Sequence, residues 1–184
     1  MRVLFSLLVG ALAFVSPQPA AAQVDPADLE EIFASACFQG EVKLAPGQES
    51  PTTLADLPSS LRRRFGKHLS ESVWRLNSTT PTYLFIVNYK PSRTTSPKVC
   101  GLATQSLDIN HEIKLLGARL NGPSLTQLHM TITGAEWLDA EHGYVAAATK
   151  ADEYTVLEVK QLTREQQLGA LKIIPSLGVL PPTP

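Results

Sequence analysis

The chain has 184 residues, 43% of them hydrophobic, with 16 Lys and Arg against 17 Asp and Glu, two cysteines and four histidines. That near balance of charge excludes a general nucleic-acid binder or an acidic-membrane binder, which would carry a clear basic excess. The length fits one domain with a core of its own, and neither an internal repeat nor a low-complexity segment divides it, apart from a Pro-rich end.

Met1-Arg2 is followed by an apolar run from Val3 to Val15, then Pro17, Pro19 and Ala20-Ala21-Ala22 before Gln23. One positive charge, an apolar stretch and a small-residue ending are the three parts of a secretory signal peptide. A membrane span needs about 20 apolar residues and this run is shorter. Cleavage between Ala22 and Gln23 is therefore expected, leaving an extracytoplasmic protein, periplasmic or secreted, with no transmembrane segment after signal removal. In such a compartment thiols oxidise, so Cys37 and Cys100 are expected to pair. They stand too far apart for a Cys-x-x-Cys redox site. Closing a loop of about 60 residues would stabilise the fold by roughly 4 kcal/mol on the chain-entropy argument.

Asp25 can cap a first helix, Pro26 suits its first position, and Leu29, Ile32, Phe33, Ala36 and Cys37 recur at helical spacing until Gly40 closes it. Pro46, Gly47 and Pro51 mark a loop. A second short helix follows Leu57-Pro58, with Leu61, Phe65 and His68 or Leu69 inward. Strands are expected at 72–76, 82–89 and 98–104; the middle one is apolar on both faces and therefore central. Asp108 can cap a third helix whose stripe is Ile109, Ile113, Leu116 and Leu120, ended by Gly122-Pro123. Three further strands, 125–136, 143–150 and 154–162, are joined by short turns. Thr163-Arg164-Glu165-Gln166 has capping-box spacing and opens a last helix that Pro175 stops. The fold class is thus α+β: residues 1–22 a cleaved signal peptide, 23–175 a single domain of order ααβββαβββα with a mainly antiparallel sheet and helices over one face, and 176–184 a disordered Pro-rich tail.

No motif for chemistry stands complete. His111-Glu112 opens like the zinc motif His-Glu-x-x-His, but position 115 is Leu115, so His111 is expected to be a solvated helix residue. Glu136, Asp139, Glu141 and His142 gather near one turn with Trp137, without the ligand spacing of a calcium loop or a second histidine for zinc; a charged hairpin end with Trp137 at the sheet edge is the plainer reading. His129 lies mid-strand beside Gln127, Thr131 and Thr133, a polar stripe that reads as the solvent face of a sheet. Arg62, Arg63 and Arg64 are expected on the wet side of the second helix, with an anionic partner as the other reading. Asn77-Ser78-Thr79 fits a glycosylation acceptor. No cofactor is implied and no catalytic residue is assigned. The functional expectation is a non-enzymatic binding or interaction module for a protein or envelope partner. The alternatives are an envelope-acting hydrolase with a site near His129 or His142, and a metal or anion binder.

Overall fold

Among the described residues, eight strands form one antiparallel sheet in the order β1-β2-β3-β4-β8-β7-β6-β5. The computed structural model describes residues 22–92, 95–119 and 125–173, without the side chains of Leu125, Thr126, His129 and residues 170–173. The strands are β1 (Glu49–Thr52), β2 (Ser70–Leu76), β3 (Thr82–Asn88), β4 (Lys98–Thr104), β5 (Leu125–Thr131), β6 (Gly134–Asp139), β7 (Tyr144–Ala151) and β8 (Tyr154–Gln161); the helices are α1 (Leu29–Ala34), α2 (Ser59–Arg62), α3 (Ile109–Arg119) and α4 (Arg164–Ile173). The α+β class holds. The expected leader up to Ala21 and the Pro-rich tail, with Leu120 and Gly122-Pro123, lie outside the described residues.

Two four-strand meanders, β1–β4 and β5–β8, meet where β4 pairs with β8. The link between them carries α3 across the sheet, packed on β6 and β7, and β5 lies at the far edge. One face bears Leu84, Cys100, Leu102, Leu157, Val159, Ala146, Ala148, Ala135 and Trp137, covered by Leu29, Ile32, Phe33 and Ala36 of the first helical segment and Ile109 and Leu116 of α3. The other face, over β2, β3, β4 and β8, bears Val73, Phe85, Val87, Ala103, Tyr154 and Val156 under Leu54, Leu57 and Leu61. β3 is thus apolar on both sides because both its faces are covered.

The helix signals read from sequence are built as expected. Asp25 Oδ1 accepts from Ala27 N at 2.9 Å, Gly40 ends the first helical segment in the left-handed region at φ 76°, and Asp108 Oδ1 accepts from His111 N at 2.9 Å. Thr163 and Gln166 close their capping box, with Thr163 N donating to Gln166 Oε1 at 2.8 Å and Gln166 N to Thr163 Oγ1 at 3.2 Å. Cys37 and Cys100 form the disulfide, Cα atoms 5.2 Å apart, tying the first helical segment to β4.

Four expectations are corrected. The segment 125–136 is not one strand: it folds as the hairpin β5–β6 with Ile132 and Thr133 at the turn. The turn is held by hydroxyls, since Thr131 Oγ1 accepts from Thr133 N at 3.2 Å, and Gly134 passes where a Cβ would lie 2.6 Å from the Ala148 carbonyl oxygen. The segment around Pro51 is not only a loop but contains edge strand β1, paired with β2 from Glu49↔Leu76 to Thr52↔Val73; an edge tolerates the missing N–H of proline. The second helix ends at Arg62, so Leu69 does not turn inward and is 70% exposed. Trp137 does not sit at the sheet edge: β6 is one strand in, and its indole is buried against Gly117 of α3.

Candidate functional site

The turn between β6 and β7 is organised by Asp139, whose Oδ1 accepts from His142 N at 2.9 Å and whose Oδ2 lies 2.8 Å from His142 Nδ1. Burial works to raise the Asp139 carboxyl, but hydrogen bonds from the His142 backbone and ring and from Tyr144 outweigh it and hold the pKa below its ordinary value. The His142 ring is raised in turn by its hydrogen bond to Asp139 and by that carboxylate's charge. Tyr144, stacked on His142 at 6.4 Å, is pushed up to about 12 by burial and by Asp139. Gln167 of α4 clamps the same turn, its Nε2 donating to Ala140 O at 2.6 Å and Glu141 O at 3.1 Å. The Asx-type bond from Asp139 stands beside the backbone bond that Gly143 N donates to Asp139 O at 2.9 Å, so a short charged sequence closes the turn. The three carboxylates read together from sequence part company here. Glu136 points to the opposite sheet face, 3.8 Å from Lys160 Nζ, and Glu141 is exposed.

His129 stands opposite Glu136 in the β5–β6 register, one step past a bulge at Leu128; its side chain lies outside the described residues.

The three arginines leave the chain in different directions. Arg62 Nη1 donates to Ala55 O at 3.0 Å, and the exposed Arg63 lies 3.9 Å from Asp152. Arg64 is not a solvated residue of a wet helix face. Its Nε donates to Glu158 Oε1 at 3.2 Å, its Nη2 lies 3.1 Å from Glu158 Oε2, and Nη2 also donates to Thr149 Oγ1 at 3.0 Å. The Glu158 side chain is only 4% exposed, so Arg64, with Lys160 at 3.6 Å, supplies the charge that a buried carboxylate on a central strand requires. Beside it Phe65 packs edge-on against Phe85 at 4.9 Å, so the segment after α2 is anchored by an ionic and an aromatic contact in adjacent residues.

The group that sequence reading missed lies between α1 and α3. His111 is exposed, as expected, yet its Nε2 is 3.8 Å from Glu30 Oε1. Its neighbour Glu112 is 1% exposed, borders one small cavity with Phe33, Leu116 and Leu157, and one of its oxygens, Oε1, has no hydrogen-bond partner. Burial, then the neighbouring Glu30 carboxylate and Asp108, push the Glu112 pKa up to about 7. One ligand atom from each of Glu30, His111 and Glu112 falls within 4.8 Å of the others. The signal was present in part: Glu112 follows Ile109 by three and precedes Leu116 by four, so it occupies the same helical stripe as Ile113. Glu30 belongs to another helix, and no spacing within α3 points to it.

A second feature is the outer edge of the sheet. β5 ends the strand order, and Leu128, Met130 and Ile132 are exposed, Ile132 at 95%. Met130 pairs with Ala135 and so faces the side that α3 covers, but α3 packs on β6 and β7. Leu128 is the extra residue of the bulge.

No helix of the described residues is long and apolar enough to cross a membrane. No protein-family model, curated protein or solved structure matches the chain.

Proposed function

We propose that the chain is an exported, disulfide-closed interaction module that takes up an extended segment of a protein partner as a ninth strand alongside β5. The observation that carries this reading is the contrast between the two sheet edges. β1 is four residues long and contains Pro51, both features that discourage pairing with another chain. β5 is seven residues long without proline, and three apolar side chains stand exposed along it and its turn. A strand added to such an edge gains main-chain hydrogen bonds along its length, while alternate apolar side chains supply selectivity. The partner segment is therefore extended and carries apolar residues at every second position. Export supports the reading as context: Cys37 and Cys100 are paired, as an oxidising compartment would leave them, and Val24, just beyond the expected cleavage position, is buried with its N–H donating to Asn77 O at 2.7 Å.

Calorimetric titration with a capped, lysine-flanked peptide of alternating valine and threonine tests the edge. Saturable one-to-one binding is expected, weakened at least tenfold when Leu128, Met130 and Ile132 are all changed to Lys. Two results contradict it: a folded domain that does not bind the peptide, or concentration-dependent self-association abolished by the same three changes, which would make the occupant a second copy of this chain.

A further inference from the structure

The interhelical group of Glu30, His111 and Glu112 has a second property that an ordinary solvated cluster lacks. Glu112 is a carboxyl group removed from water, and its Oε1 is left without a hydrogen-bond partner. A buried polar atom without a partner carries the full cost of its lost hydration. Beside it lies a void of about 10 Å³ bordered by Glu30, Phe33, Leu116 and Arg119, about the volume that one small occupant requires. α1 contributes Glu30 from one side, and the Asp108-capped first turn of α3 contributes His111 and Glu112 from the other.

We propose that Glu30, His111 and Glu112 hold one divalent transition-metal ion of the Zn2+ or Mn2+ class. An imidazole with two carboxylates is a mixed nitrogen and oxygen donor set, suited to such ions. Ca2+ takes six to eight oxygens, and a structural zinc site would bring a fourth protein ligand. The ligand atoms of a tetrahedral site lie about 3.4 Å apart at the usual bond lengths. The His111–Glu30 separation of 3.8 Å is close to that, and the half-exposed Glu30 and exposed His111 side chains can close the remainder by rotation. The His111 side is open to solvent, so the ion keeps a position for water or for a ligand atom and exchanges readily. Arg119 borders the same void and is the cation that the metal must outcompete.

The test is a titration of the purified, chelator-treated chain with Co2+, read by visible absorption, and with Zn2+, read by calorimetry. One equivalent is expected at micromolar affinity, with the absorption bands of four- or five-coordinate cobalt. His111→Ala, on the solvent side and so without effect on folding, and Glu112→Gln should each weaken binding at least tenfold. His142→Ala, which removes the histidine paired with Asp139, should leave binding unchanged. The inference is overturned if the folded chain binds neither ion saturably, if His111→Ala and Glu112→Gln bind as the parent does, or if His142→Ala is the change that abolishes binding.

Discussion

Glu112 brings an ionisable group into a site made by Phe33, Leu116 and Leu157, and its stability contribution has a definite sign. In the metal-free chain the unfolded carboxyl ionises near its ordinary 4.5 while the folded one keeps its proton to about 7. Between those values the folded state binds more protons, so stability falls as pH rises through that window and the whole cost is present above it. Glu30 and Asp108 add to the effect. With chelator present, Glu112→Gln should be more stable than the parent at pH 8 by about 2–3 kcal/mol and nearly equal to it at pH 4.5. Urea denaturation at the two pH values measures this; a variant less stable at both would mean that the carboxylate is well partnered. Arg64 is the reverse case, a charge whose removal strands its partner. Arg64→Gln should cost about 2–3 kcal/mol, moderated by Lys160, whereas Arg62→Gln with Arg63→Gln should cost well under 1 kcal/mol. The sequence shows three equal arginines, and nothing local separates Arg64 from the others. Its partner Glu158 lies 94 positions away in sequence and reaches it only through the sheet.

At the scale of elements, what could be read depended on whether the determining contact was local. Caps at Asp25, Asp108 and Thr163, the αL ending at Gly40 and the alternation of β3 are each fixed within a few residues, and each is found where the sequence places it. The β5–β6 turn escaped because Thr131-Ile132-Thr133-Gly134 is rich in β-branched residues and its closing bonds come from hydroxyls, not from Asn, Asp or Pro. The phase of α3 was legible only to within one residue. Glu112 and Ile113 both fit between Ile109 and Leu116, and hydrophobicity favours Ile113, yet Glu112 lies deeper while Ile113 is half-buried. The two readings agree on Leu116 and Lys114. Leu116→Ala should cost about 2–5 kcal/mol through the cavity it leaves, and Lys114→Ala almost nothing. Gly101 gives a third test at this scale, since an added Cβ would lie 2.6 Å from Leu157 O and strike the Phe85 ring. Gly101→Ala should therefore lower the melting temperature markedly, and an unchanged melting curve would show that β3 and β4 can separate without loss.

For the whole molecule, the strand order reads alike from either edge: two meanders are joined at β4 and β8, with α1 and α3 on the same face. The disulfide fastens the first helical segment to the centre of this arrangement. Reduction should lower stability by roughly 4 kcal/mol on the chain-entropy argument, and thiol labelling of the denatured, unreduced chain should find no reactive cysteine. Export is checked by intact mass, which should place the mature N-terminus at or within a few residues of Gln23. A symmetric order of this kind leaves two edges, of which one is blunted by Pro51 and the other carries Leu128 and Met130. Partner uptake at β5 would show in residue-resolved amide hydrogen exchange with and without the alternating valine–threonine peptide. Alternate amides of β5, those turned away from β6, should gain protection on addition of the peptide while the amides of β1 remain as they were. Protection at β1, or no change along β5 when the peptide is bound, would contradict it.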